Sequence, residues 1–233
     1  MSWNQSSFVT ADLRDERVTS FLSRVYGWMF AGLPITALTA SAVASSPALL
    51  EVFILNRLVF WVLIFAQLGL VFYLAARVNK VAPATAAGLF VLYSALVGVT
   101  SSVILLVYTG ASIVSTFIIT AGMFGTMAVF GSVTKRSLAG FGQFLFMGLI
   151  GLILASIVGF FWHNEALQFV ISVVGVLVFT GLTAWDAQRL KQMAVALPDG
   201  RVGAFAVVGA LSLYLDFINL FFFLLRFTGN RRN

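Results

Sequence analysis

The chain has 233 residues, of which 61% are hydrophobic and only 9% charged. A soluble domain carries about 25% charged residues, so these charges are too few to cover a surface against water and the main solvent is lipid. The absence of cysteine excludes disulfides, thiolate nucleophiles and cysteine-ligated metals, and the net charge of +6 comes without a basic patch interleaved with aromatics, which argues against nucleic acid as a partner.

Residues 1–24 are polar and mixed in charge. They hold no basic stretch followed by an apolar run, so no cleaved signal peptide is expected, and the first apolar span acts as its own insertion signal. Leu13, Arg17, Phe21 and Arg24 fall at helical spacing. That spacing fits either an interfacial amphipathic helix or a solvated extension of the helix that follows. A membrane span needs about 20 apolar residues, and seven such runs follow, at 25–44, 58–76, 81–108, 112–133, 141–162, 166–189 and 203–227. A basic tail occupies 228–233.

Pro34 in the first span has no N–H to give and predicts a kink. Gln67 is the strongly polar group of the second span and is read as a helix–helix hydrogen bonder. Small residues recur four apart at Ser94, Gly98 and Ser102 and again at Gly151, Ala155 and Gly159, which predicts close helix packing. His163 lies alone in the loop WHNE, and one histidine makes no metal site. The connections are short, so residues 25–227 are expected to form a single all-α domain.

Orientation follows from the basic residues. With a cytoplasmic N-terminus, Arg14, Arg17, Arg24, Arg77, Lys80, Lys135, Arg136, Arg189, Lys191 and Arg201 all fall inside, and Arg57 is the sole basic residue in an outer loop between spans. The positive-inside rule therefore predicts this topology. It sits less well with Arg226, Arg231 and Arg232, which lie outside if the last run crosses fully and inside if it turns back. The apolar length favours a full crossing.

Two spans carry a carboxylate away from their ends: Asp186 in TGLTAWDAQRL and Asp216 in GALSLYLDFINLFFFLLRF. An acid at membrane depth costs several kcal/mol and marks a functional site unless it only glues helices together. Gly209, Ser212, Asp216 and Asn219 form one polar stripe on an apolar helix, and Thr183 shares a face with Asp186. A stripe of this kind belongs inside a bundle, where Ser212, Asn219 and Thr183 are candidates to line a path. If the sixth helix ends near Arg189, the two acids differ in depth by roughly 10–15 Å at 1.5 Å per residue. Contact requires that helix to run on, toward Ala196, or the seventh to start near Phe205. Two acids in contact in a dry site share a proton. Deprotonated, they offer oxygens to a hard cation such as Ca²⁺, in a site weak enough for the ion to leave. Arg77, at the inner end of the second span, either pairs with Asp186 and holds a gate shut or snorkels to the interface.

The run ALSLYLDFINLFFFLLRFTG over residues 210–229 resembles the last-helix signature of the transmembrane Bax inhibitor motif family, and FLSRVYGWMFAGLPITALTA over 21–40 is similar to its first-helix pattern. The resemblance implies seven helices, with two three-helix layers around a central last helix, in the inner membrane of a bacterium. It implies a pH-sensitive calcium leak channel gated by an aspartate pair, here Asp186 and Asp216, with Arg77 as the basic partner at the gate. Where some members carry an acid in the second helix, this chain has Gln67.

On this reading the partners are the bilayer, protons and Ca²⁺ as the transported ion, without a cofactor. The alternative is a non-transporting regulator of other membrane proteins, since some relatives resemble cell-death regulators and others partners of a membrane protease. No enzymatic activity is expected. An intramembrane aspartyl protease would carry GxGD, and Asp216 is preceded by Leu213, Tyr214 and Leu215. No G-x-x-x-x-G-K-[ST] motif supplies nucleotide-driven pumping.

Overall fold

The computed structural model describes residues 3–162 and 164–232, with side chains described from Arg14 onward except at 160 and 199. His163 lies outside the described residues. The elements are helices α1 (Trp3–Ala44), α2 (Pro47–Leu50), α3 (Arg57–Arg77), α4 (Pro83–Val107), α5 (Gly110–Val133), α6 (Ala139–Phe161), α7 (Glu165–Ala196) and α8 (Val202–Thr228). A π-helical turn, Glu51–Leu55, joins α2 to α3, and a 3₁₀ turn, Asp199–Arg201, precedes α8. All seven long helices are long and apolar enough to cross a bilayer. The chain is an all-α integral membrane protein with seven apolar spans, as its composition requires.

Helix starts follow the local chemistry. Asn56 Oδ1 accepts from the backbone N–H groups of Leu58 and Val59 at the start of α3, Thr109 Oγ1 accepts from Ser112 N at α5, and Asn164 Oδ1 accepts from Ala166 N at α7. Each supplies an acceptor to first-turn donors that have no partner within the helix.

Two spans are longer than their apolar runs. α1 is unbroken from Trp3 through Pro34 to Ala44, so the polar segment before residue 25 is part of the first helix. α7 continues seven residues past Arg189 to Ala196. The apolar run ends near 189, but of the two courses left open the helix takes the longer one, because polarity there does not break the backbone ladder; Pro198 is the first residue unable to continue it.

The fold has two compact units. The first comprises the residues up to Ser102 together with Arg189–Leu211. Here α1 packs on α4 through the expected small face. Thr36 Oγ1 donates to Ser94 O at 2.9 Å, and a Cβ on Gly98 would stand 2.6 Å from Thr36 O, so only glycine permits this backbone approach. Phe21, Val25, Met29 and Phe90 are buried, and Trp28 meets Phe90 edge to face. Gln67 Nε2 donates to Leu96 O and Thr100 Oγ1, both at 3.3 Å, bridging α3 to α4. Arg17 donates to Leu197 O at 3.1 Å, and Arg201 to Asn79 Oδ1 at 2.6 Å, tying the α7–α8 connection to α1 and to the α3–α4 connection.

The second unit comprises Val103–Gln188 and Ser212–Asn233. α6 and α7 run antiparallel, with Gly142 against the Trp185 indole, Leu145 on Gly181 and Val178 on Gly148. α8 packs on α5 through Phe217, whose ring centroid lies 5.4 Å from Phe117 and 5.5 Å from Phe124. The tail after α8 clips onto the α4–α5 turn: Thr109 N donates to Asn230 O at 3.1 Å, Arg232 N to Val107 O at 2.8 Å, and Asn230 N to Ser112 Oγ at 3.0 Å. α8 is the most buried span, with 61% of its apolar window covered against 6% for α3.

Candidate functional site

The second unit contains both aspartates. Asp186 is 8% exposed and Asp216 5% exposed. The extra turns of α7 beyond Arg189, about 10 Å of helix, close most of the depth gap that the shorter sequence-based helix leaves.

The register of α7 against α8 is fixed by ring contacts. Phe179 and Phe223 stack with centroids 5.8 Å apart. Seven residues, two helical turns, along each of two antiparallel helices lead from Phe179 to Asp186 and from Phe223 to Asp216. The acids therefore stand level on facing sides of one seam. The two carboxylates are near enough for the charge of one to act on the other. Asp216 Oδ2 is buried and has no hydrogen-bond partner.

Three contacts hold the turn of α7 that bears Asp186. Gly131 of α5 lies against the Ala184 backbone, where a Cβ would overlap the carbonyl, and the Trp185 indole lies on Gly142 of α6. Gln188, 7% exposed, accepts from Leu138 N at 2.8 Å and donates to Arg136 O at 2.9 Å, fastening the α5–α6 loop to α7. Asp186 is thus presented from a fixed helix turn, which is how a site keeps its geometry. Sequence reasoning passed over Gln188. The available signal was a second polar side chain two residues from an acid at depth, on a different side of the helix.

The other candidates fall as follows. Thr183 is fully buried and donates to Phe179 O at 2.8 Å, within its own helix. Asn219 is half-buried and donates to Leu215 O at 2.8 Å, within its own helix, and Ser212 is half-buried one turn from Asp216. Arg77 closes α3, is exposed, and belongs to the first unit, whereas Asp186 belongs to the second. Among the described residues no group of three or more His, Cys, Asp or Glu converges. A cation at the pair would therefore rely on two carboxylates and neutral oxygens, a donor set suited to a hard ion held weakly.

Comparison with known proteins agrees with this architecture. The chain is 50% identical over 216 residues to the inner membrane protein YbhL of Escherichia coli K12, covering 91% of this chain and 92% of that one. It is 46% identical to an uncharacterized protein of Borreliella burgdorferi, covering 91% and 93%, and 38% identical to the uncharacterized protein RP147 of Rickettsia prowazekii, covering 94% and 93%. Residues 18–233, which include every apolar run and both buried acids, match the family described as inhibitor of apoptosis-promoting Bax1, and the chain belongs to this Bax-inhibitor family.

Proposed function

We propose that this chain is a pH-sensitive leak path for Ca²⁺ or a similar hard cation, with Asp186 and Asp216 as its proton-sharing gate. The observation that carries the reading is the Asp216 carboxylate, buried with one oxygen unpartnered and facing the charge of Asp186. Two carboxylates in a dry site cannot both ionise cheaply, so they hold one proton between them. A cation and that proton compete for the same oxygens, so cation occupancy rises as pH rises. Thr183, Ser212 and Asn219 supply neutral oxygens beside the pair. The reading assigns no covalent chemistry to the acids.

The same reading places the chain in a bacterial inner membrane with its N-terminus in the cytoplasm. Support comes from the name of the Escherichia coli relative and from the clustering of basic residues on alternate connections.

The test is Ca²⁺ entry into dye-loaded liposomes holding the purified protein, measured across the neutral pH range. Wild type is expected to show pH-dependent entry, with Asp186→Asn and Asp216→Asn each flattening that dependence. Flux that ignores both substitutions removes the gate. A chain that moves no ion at any pH favours a non-transporting membrane regulator.

A further inference from the structure

Outward from the acids, toward the C-terminal end of α8, the seam changes character. Asp216, Asn219 and Phe223 follow one face of α8 in steps of three and four residues. At the level of Asn219 the facing residue on α7 is Thr183, by the register that pairs Phe179 with Phe223. At Phe223 this face of α8 becomes apolar. Its ring lies on Gly175, where a Cβ would stand 2.6 Å from ring carbons, and stacks on Phe179 at an interplanar angle of 25°. Gly175 is therefore the recess that admits the ring. Beyond this layer polar groups resume: Arg226 donates to Gln168 Oε1 at 2.8 Å, and Gln168 Nε2 donates to Gly159 O at 3.2 Å. Along one seam the order is acid pair, hydroxyl and amide, two stacked rings, then an arginine and a glutamine near the helix ends.

We infer that the Phe179–Phe223 stack, seated in the Gly175 recess, is an apolar plug that separates the acid pair from water at the C-terminal end of α8. It deepens the reading of the pair as a cation site and rests on it. An ion cannot shed its water between two phenyl rings, and a constriction lined only by rings excludes water as well. Passage requires Phe223 to leave the recess, and Phe179 then has nothing to stack on. The layer contains no titratable group, so it is a second barrier in series with the carboxylates and independent of their protonation.

The absence of native cysteine makes a direct test clean, because Asn219→Cys introduces the only thiol. The protein is placed in lipid nanodiscs, which leave both faces open, and reacted with a charged, membrane-impermeant methanethiosulfonate. Slow modification is expected in Asn219→Cys alone. Adding Phe223→Ala is expected to speed it by about an order of magnitude, because an apolar constriction gates by excluding water and its removal lets water and reagent in. Gly175→Ala keeps both rings but occupies the recess and is expected to act in the same direction, while Phe223→Leu refills the space and stays slow. Size-exclusion profiles identify variants that remain folded, and the Gly175 variant decides the question if Phe223→Ala does not fold. Equal rates in the folded variants overturn the plug. Faster modification in a chain that carries no Ca²⁺ leaves the plug standing and removes the cation reading. Ca²⁺ flux with unchanged modification does the reverse.

Discussion

Removing the charge at Asp216 relieves two penalties at once: the lost hydration of a carboxylate that is 5% exposed, with one oxygen lacking a hydrogen-bond partner, and its repulsion from Asp186. A buried unsatisfied polar group costs about 1–3 kcal/mol. Asp216→Leu is therefore expected to stabilise the protein by about that amount while abolishing the pH response, the trade expected where function holds a strained group in place. The gain should be greatest at alkaline pH, where the wild-type pair is most charged, and smallest in acid, where protonation already removes the repulsion. Thermal melts in detergent at a series of pH values check this; a variant less stable than wild type at every pH would mean that Asp216 holds the fold together instead.

Among the helices, the contrast between Gly131 and Gly125 separates packing from propensity. Both lie in α5, but a Cβ at Gly131 overlaps the Ala184 backbone of α7, whereas one at Gly125 meets nothing within 4 Å. Alanine stabilises an open helix position by roughly 0.5–1 kcal/mol relative to glycine. Gly125→Ala should leave the melting temperature unchanged or raise it. Gly131→Ala should lower it and, by pushing α7 two residues from Asp186, alter the pH response. Equal melting temperatures would show that α5 and α7 are not in backbone contact at this level. Sequence gives no means of ranking these two glycines, because the difference lies in which partner helix each faces. The same limit hid Gln188, whose hydrogen bonds reach residues 50 and 52 positions away. Apolar length, by contrast, was readable: the boundaries of α3, α4, α5, α6 and α8 fall within two residues of the runs marked by hydropathy. Hydropathy reports the solvent around a helix, and in these spans lipid and helix end together. In α1 and α7 the helix runs on beyond its apolar stretch, so the hydropathy signal ends before the backbone does.

At the level of the whole chain, the direction of the last span is the feature that basic-residue counting leaves open, and local contacts decide it. Arg201, just before α8, bonds Asn79, just before α4. The tail just after α8 bonds Val107 and Thr109, at the end of α4 and just after it. α4 and α8 thus begin together and end together, and a span that turned back midway could not reach the α4–α5 turn. With 27 residues α8 is about 40 Å long at 1.5 Å per residue, enough to cross the hydrocarbon core. An odd number of crossings puts the two termini on opposite faces. With the proposed cytoplasmic N-terminus, Arg226, Arg231 and Arg232 lie on the face that the positive-inside rule disfavours, and their contacts help explain how they are accommodated. Arg226 is held by Gln168, and the backbone at 230–232 is clipped to its neighbour. The expected outcome in a bacterial host is an active alkaline phosphatase fused after Asn233 and a fluorescent protein that stays dark there, with the pattern reversed for fusions at the N-terminus. Termini reporting from the same face would require an even number of crossings and would overturn the seven-span topology.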